Sequence, residues 1–496
     1  MKKFILNISL AISGLAGMCG CSGSFLDHEP TDSVPDEIAK DPSNAERVFN
    51  GAWYNLFEDT YTYANMGYRA FMCQDDMMGN DIVSRPAYGF DSSYRFTDIS
   101  DPTVGRTGFA WSLLYKTIHN CNLVISMKLP EGEDATALHY AQGKALALRA
   151  FCYLHLVQHY QFTYLKDKTA LCVPVYTEPN TTDSQPKARS TVEEVYQLIL
   201  DDLTDAKALL ANYNRNGVMF KPNIDVVNGL LARTHLLMGN WGEAAKAAKD
   251  ARKGYTLMNE EEYKSGFSDA KNPEWMWAHL QTLDQSNASY NFYYIDVVVS
   301  DSYNSFMADP HFMNLFSDND YRKDLFQWMR EGYLGYCKFR IRADETGDIL
   351  LMRASEMYLI EAEAQARNHN VPAAELVLGE LLQARGLAGY SATGKSESEV
   401  IEDILKERRK ELWGEGFSLT DILRTQKAVE REPLSKAETA NKVMCWQDDE
   451  KVKEKEYTPQ GHSVTNLPDE SEFVPNSRYY LYAIPQKEIN ANPNLQ

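Results

Sequence analysis

The chain has 496 residues, 44% of them hydrophobic and 24% charged, a globular composition with ample apolar material for a core. Its 50 basic and 70 acidic residues give a net charge of -20, which argues against wholesale nucleic-acid binding, because phosphate contact needs clustered basic charge. Beyond the N-terminus no run of 18 apolar residues occurs, so a polytopic helical membrane protein is excluded.

Lys2 and Lys3 precede a mostly apolar stretch, Phe4 to Met18, broken by Asn7, Ser9 and Ser13. That is too short to span a bilayer and reads as a secretory signal over residues 1–20. Small residues lead into Cys21, which follows Gly20, whereas Cys19 follows the bulky Met18. Cys21 is therefore the expected lipidation site, with ordinary signal cleavage nearby as the alternative reading. A lipid there anchors the chain to a membrane without spanning it. Cleavage before Cys21 removes two lysines and no acid, leaving a net charge of -22. Residues 21–45, polar and rich in Asp, Glu and Pro, read as an extended leader. The six later cysteines, Cys73, Cys121, Cys152, Cys172, Cys337 and Cys445, show no CxxC or zinc-type spacing. Most are expected as buried thiols, with one bridged pair left open.

Helical periodicity then dominates. Trp111, Leu114, Tyr115, Ile118 and Asn122 share one face. Leu146, Ala150, Phe151, Leu154, Val157 and Tyr160 form a second stripe. Ser190-Thr191-Val192-Glu193 reads as a capping box that opens a third stripe of Val195, Ile199, Leu203, Ala206 and Leu210. Helices are predicted over 225–238 and 241–252, broken by Gly239-Asn240. Ala232, Ala244, Ala248 and Ala251 stand at offsets 0, 12, 16 and 19, and Ala362, Ala374, Leu378 and Leu381 repeat them. Those are the small-residue offsets at which the two helices of a tetratricopeptide unit close-pack. The two units lie 130 residues apart, so a large insertion separates them. Within it, Trp275 to Leu280 and Tyr336 to Ile341 read as short strands, with Trp275 and Trp277 expected in the core. A second irregular region covers about 73–107. The division is a helical part 46–254, a loop-rich insertion 255–345 and a C-terminal part 346–496, all in one domain 46–496.

These segments resemble the SusD/RagB family of outer-membrane nutrient-uptake lipoproteins. The resemblance is carried by Ser24-Phe25-Leu26-Asp27 with Glu29-Pro30-Thr31, Leu148-Arg149-Ala150-Phe151 with Tyr153 and Tyr160, and the segment Arg189 to Tyr196. It continues through Leu351 to Ala364, read as the strongest helix, and Glu407-Arg408-Arg409-Lys410-Glu411-Leu412 with Glu415-Gly416-Phe417 and Asp421. It closes with Ile484 to Ile489 and Asn492 to Leu495. Ser418 departs from the family's frequent Arg, which puts one internal ion pair in doubt. The resemblance implies a mainly α fold, a right-handed tetratricopeptide-like superhelix with long irregular loops on one side and a few short strands. It also implies a SusC-like TonB-dependent β-barrel transporter as partner, an oligosaccharide or sometimes a peptide as ligand, and no cofactor.

A sugar ring has apolar C–H faces and polar edges, so its site wants aromatic platforms flanked by polar side chains. Two irregular stretches qualify. Tyr88, Phe90 and Tyr94 alternate with Gly89, Asp91, Ser92 and Arg95; Tyr290, Phe292, Tyr293 and Tyr294 lie among Asn287, Asn291 and Asp296. The bland alternative is that these rings pack beneath their own loops. Glycoside hydrolysis needs two carboxyl groups at a set spacing across a cleft, and the sequence singles out no such pair. Glu407, Arg408, Arg409 and Glu411 read as a structural ion network, and Glu361 and Glu363 as packing or pairing residues. His155 and His159 stand at i, i+4, a spacing able to hold zinc, but HExxH is absent and no third ligand shows. Asp318-Asn319-Asp320 starts like a calcium loop without its Gly and terminal Glu. The expectation is no metal, no catalytic residue and no enzyme. Capture of glycan is the first reading, capture of peptide the second, with a surface hydrolase and a protein-binding scaffold as the alternatives from other classes.

Overall fold

The computed structural model describes residues 40–58, 64–86, 89–181, 183–285, 288–299, 303–449 and 452–495; Cys21, the signal segment and most of the leader lie outside them. The main helices are α1 (Ala45–Glu58), α2 (Tyr68–Met77), α3 (Gly105–Ser126), α4 (Thr136–Tyr160), α5 (Val192–Leu209), α6 (Ile224–Met238) and α7 (Trp241–Ala251). A four-residue turn, α8 (Tyr290–Tyr293), precedes α9 (Ala354–Arg367), α10 (Val371–Ala384), α11 (Glu397–Glu411) and α12 (Ser418–Arg424). Among the described residues no helix is long and apolar enough to cross a membrane.

The helical stripes set the stacking. Val195, Ile199, Leu203, Ala206 and Leu210 are all fully buried, and α5 packs on α4 before α6. The capping box sits one residue later than the sequence reading placed it: Thr191 accepts from the Glu194 N–H, and the Thr191 N–H donates to the Glu194 carboxylate at 2.7 Å. A residue in extended conformation must precede the first helical turn, and Thr191 is that residue, with φ -69° and ψ 160°. Gly239 closes α6 in the left-handed conformation (φ 77°), where a Cβ is costly.

Both tetratricopeptide units form as their offsets predict. Ala232, Ala244, Ala248 and Ala251 are buried between α6 and α7, and Ala362, Ala374, Leu378 and Leu381 between α9 and α10. Small side chains let each helix pair approach closely. The second unit stacks directly on the first, α7 against α9, so the insertion loops out without interrupting the helical stack. Arg252 of the first unit reaches Glu361 of the second at 2.7 Å.

The insertion contributes strands to two sheets. Strands β1 (Ile82–Ser84), β3 (Phe306–Ala308), β4 (Phe326–Met329), β5 (Tyr333–Tyr336), β7 (Val443–Asp449) and β8 (Val452–Tyr457) form a six-stranded sheet in the order β1-β3-β5-β4-β7-β8. Strand β2 (Trp275–His279) pairs with β6 (Ile349–Arg353), Trp277 opposite Met352. Two expectations need correcting here. The second strand covers 333–336 rather than 336–341, because the chain leaves the sheet to send Lys338 inward. The segment from Leu351 enters as strand, and the helix starts only at Ala354; Arg353 remains extended (φ -145°, ψ 162°). The predicted Trp275 strand and the burial of Trp275 and Trp277 are observed.

A buried ion network ties sheet, helices and loops together. Glu411, at the end of α11, accepts from Arg322 at 2.7 Å, Arg353 at 2.6 Å and Arg385 at 2.7 Å. Arg353 and Arg385 also grip Glu274, Arg353 and Lys338 bind Glu415, and Arg322 and Lys410 share Asp320 and Glu407. Five cations thus face five carboxylates, which is how charges persist in a low-dielectric interior. The predicted network at 407–411 is therefore real but larger than its own turn. Buried Asp320 is held by Arg322 and Lys410, and exposed Asp318 pairs with Lys323.

Glu363 shows how such pairing enters stability. Its burial alone raises the carboxyl, but Arg424 at 2.7 Å, with Arg367 and Arg408, brings it down to about 2. The folded state thus prefers the ionised form, so its contribution is complete above the ordinary carboxylate pKa of 4.5 and is lost as pH falls toward 2. The shift corresponds to about 3 kcal/mol. Thermal unfolding followed from pH 6 to pH 2 is expected to show this loss in the parent and a shallower slope in Glu363→Gln; equal slopes would remove Glu363 from the acid transition.

Candidate ligand site

The irregular segments converge at one end of the larger sheet. Strand β1 brings the first aromatic stretch beside β3, and β3 follows the second. The backbone N–H groups of Asn304 and Phe306 donate to the carbonyls of Tyr293 and Tyr294 at 3.0 and 3.1 Å. Asp296 is buried and accepts from the N–H groups of Val298 and Ile341. Its role is to hold the loop, and both its oxygens are so engaged. Arg330 donates to the carbonyls of Val297 and Val299, fixing the same loop to the sheet edge.

The two stretches do meet, through their buried rings. Phe90 stands edge-on to Tyr294 with centroids 4.7 Å apart, and both are fully buried. Tyr94 is buried too, its hydroxyl 2.8 Å from His462 Nδ1 and its ring covered by Arg431. Phe292 lies beneath Gly347, where any Cβ would collide with the ring. For Phe90, Tyr94, Phe292 and Tyr294, packing under the loops is what the structure shows; enclosed rings present no platform. Tyr88 and Asn287 lie outside the described residues.

Tyr290 and Tyr293 are different. Both are half-buried, and a third ring that the sequence reading did not single out, Tyr303, joins them. Tyr290 and Tyr303 lie nearly parallel, 5° apart with centroids at 6.2 Å, and Tyr293 stands edge-on to both, at 5.7 and 5.9 Å. Such edge contacts hold ring planes in fixed orientation. Tyr303 was missed because the window was drawn around 290–296; the aromatic Tyr303 beside Asn304 carries the same signal. Polar groups stand on the same sheet end: Arg85 pairs with Glu331 at 3.5 Å, and Tyr333 is half-buried, its hydroxyl raised by desolvation and then by Glu331.

A concavity of about 860 Å³ opens elsewhere, between α11, α12 and β1. Its floor is Leu405, Leu412, Trp413, Phe417 and Ile422. Three ion pairs stand on its rim: Arg409 with Asp81 at 2.6 Å, Arg408 with Asp421 at 2.7 Å and Lys427 with Glu402 at 2.7 Å. Ser418 lies there, and its N–H, with those of Gly416 and Phe417, donates to Asp76. Burial nevertheless raises Asp76 to about 7. The hydrogen bonds that hold Asp76 here thus come from backbone N–H groups. Among the described residues, none of the predicted aromatic site residues lines this cleft.

Comparison with known proteins places the chain. The model of the SusD family matches residues 335–496, and a SusD-like model described as starch-binding and associating with the outer membrane matches 24–236. A SusD-like protein P38 of Formosa agariphila is 23% identical over 87% of this chain and 93% of its own. The crystal structure of a SusD-like carbohydrate-binding protein from Bacteroides vulgatus superposes with a TM-score of 0.84 at 39% identity, covering 92% of this chain and 97% of that one. A SusD superfamily protein from Bacteroides thetaiotaomicron shares the fold, with a TM-score of 0.75 at 23% identity over 92% and 99% of the two chains. On its helical stack, its loop insertion and these matches, the chain belongs to the SusD family.

Proposed function

We propose that this protein captures oligosaccharide at the outer membrane and delivers it to a SusC-like TonB-dependent transporter, without catalysing a reaction. The reading is carried by the 39% identity, over nearly the whole of both chains, to a SusD-like carbohydrate-binding protein. In this reading Cys21 carries the lipid that keeps the protein beside the barrel. Tyr290, Tyr293 and Tyr303 offer apolar ring surface to the C–H faces of a sugar, and the polar side chains of the same sheet end address its hydroxyls. Carboxylates are abundant in the structure, but those of the central network are buried and paired, which suits support rather than hydrolysis.

Calorimetric titration of the mature chain with a panel of oligosaccharides and short peptides tests this. Replacing Tyr290, Tyr293 or Tyr303 by Ala is expected to weaken sugar binding about tenfold each, roughly the 1.4 kcal/mol of one lost aromatic contact. Unfolding temperatures should hold, because these rings are only half-buried. Unchanged affinity in all three variants would move the site elsewhere. Heat with peptides alone would establish the peptide reading, and silence across both panels would favour a protein-binding scaffold.

A further inference from the structure

Beneath the second helical layer lies a group of side chains that ligand capture does not use. Asp75, from α2, meets His155 and His159, from α4, and one ligand atom from each lies within 4.8 Å of the other two. Among the described residues this is the one group of three His, Cys, Asp or Glu side chains so arranged. All three are at least 95% buried. They line a cleft of about 570 Å³ that is also bordered by Gln158, Arg233 and Arg424.

The hydrogen bonds around the group fit coordination. His159 Nδ1–H donates to the carbonyl of His155 at 2.7 Å, since a carbonyl can only accept. This leaves Nε2 turned to Asp75 Oδ1, 2.8 Å away. Two acceptor-type atoms at that distance share a proton, and a metal ion that displaces it must part them to about 3.3 Å. His155 stacks on His159 with centroids 3.9 Å apart, and its Nδ1 is 3.4 Å from the Tyr68 hydroxyl. Its Nε2 is buried with no hydrogen-bond partner. A buried ring nitrogen without a partner is costly, and a metal ion beside Asp75 and His159 would satisfy it. A carbonyl and a tyrosine hydroxyl on the far nitrogens are the outer contacts that orient ligating histidines.

We propose that Asp75, His155 and His159 bind one divalent transition-metal ion of the zinc class, with a fourth position facing the cleft. Two imidazoles and a carboxylate suit Zn²⁺ better than Ca²⁺ or Mg²⁺, which take oxygen ligands. Tetrahedral bonds of about 2.0 Å set ligand atoms roughly 3.3 Å apart, so binding requires the His159–Asp75 contact to open from 2.8 Å and the wider separations, up to 4.8 Å, to close. The charged groups facing the site do not forbid it. Arg233 is paired with Glu356, Arg424 with Glu363 and Asp421, and Arg408 with Asp421. Arg408 keeps one buried Nη1 without a partner, which favours an anionic or water ligand in the fourth position.

The test is titration of the chelator-stripped mature chain with ZnCl₂ by calorimetry, with CoCl₂ as spectroscopic probe. One saturable equivalent, a rise in unfolding temperature on adding zinc, and tetrahedral Co²⁺ visible bands are expected. His155→Gln and His159→Gln should each weaken binding by more than the roughly 10–100-fold lost when an outer contact is removed, and should abolish the bands. His155→Gln is the decisive variant, because it removes one proposed ligand while leaving the His159 and Asp75 side chains in place. Absence of a saturable zinc signal in the parent overturns the proposal. So does zinc binding that survives in His155→Gln, which would assign the ion to other histidines.

Discussion

Glu411→Gln is expected to lower the stability of the folded chain by about 3–5 kcal/mol, the range found when one partner of a buried ion pair is removed. The substitution preserves shape and deletes one charge. It leaves Arg322, Arg353 and Arg385 facing a neutral amide, all three of them essentially inaccessible to water. Burial alone would push the Glu411 carboxyl up; the three guanidinium groups hold it well below the usual carboxylate range. The consequences should spread, because those arginines belong to three separate segments. Arg322 lies in the insertion, Arg353 at the junction of β6 and α9, and Arg385 just after α10. Glu402→Gln provides the contrast. Its partner Lys427 sits at the surface, with side-chain exposures of 59% and 45% for the pair, and exposed pairs contribute about 0–1 kcal/mol. Urea midpoints for the two variants should therefore separate widely. A Glu411→Gln midpoint close to that of Glu402→Gln would show that water reaches the network.

Trp277→Ala should cost a similar amount, about 3–5 kcal/mol, by opening a cavity in the main core. Trp277 is fully buried. Its ring packs against Trp53 at 5.2 Å and Phe151 at 4.9 Å, and its indole N–H donates to the Phe220 carbonyl at 2.8 Å. One side chain thus joins β2, α1, α4 and the loop before α6. Truncation removes the ring contacts and strands the carbonyl, two losses that add in the same direction. Leu283→Ala is the matched control: Leu283 is 73% exposed, and surface changes stay within about 0.5 kcal/mol. A small shift in the urea midpoint for Trp277→Ala would mean that Trp53 and Phe151 collapse into the space.

The helical scaffold was legible along the chain because its signals are local. A stripe at i, i+3 and i+4 can be buried only on one face of a helix, and it makes little difference which partner covers it. Val195 to Leu210 and the paired alanine offsets therefore announced α5, α6, α7, α9 and α10 without knowledge of their neighbours. The stacking of the two tetratricopeptide units on each other, across more than a hundred residues, appeared only in the fold. The segment around Leu351 misled for the same reason: its apolar residues suit a strand or a helix, and length alone does not separate them. Pairing with β2, 75 residues earlier by the Trp277–Met352 register and 78 by Trp275–Arg353, decided the matter.

The site was less legible because its properties are relational. Phe90 and Tyr293 both belong to irregular stretches where rings and polar residues mix, yet one is enclosed by Arg106, Tyr294 and Phe306 and the other keeps part of its ring at the surface. His155 and His159 declared a shared helical face, but Asp75 comes from another helix 80 residues before. What the sequence determined by itself was the family, the helical stack and the residue types available for ring stacking and charge pairing. What only the tertiary structure decided was which rings stay accessible, which carboxylates are saturated by arginine, and which third side chain meets the two histidines. Periodicity is written in consecutive residues, whereas burial and pairing depend on segments brought together only when the chain folds.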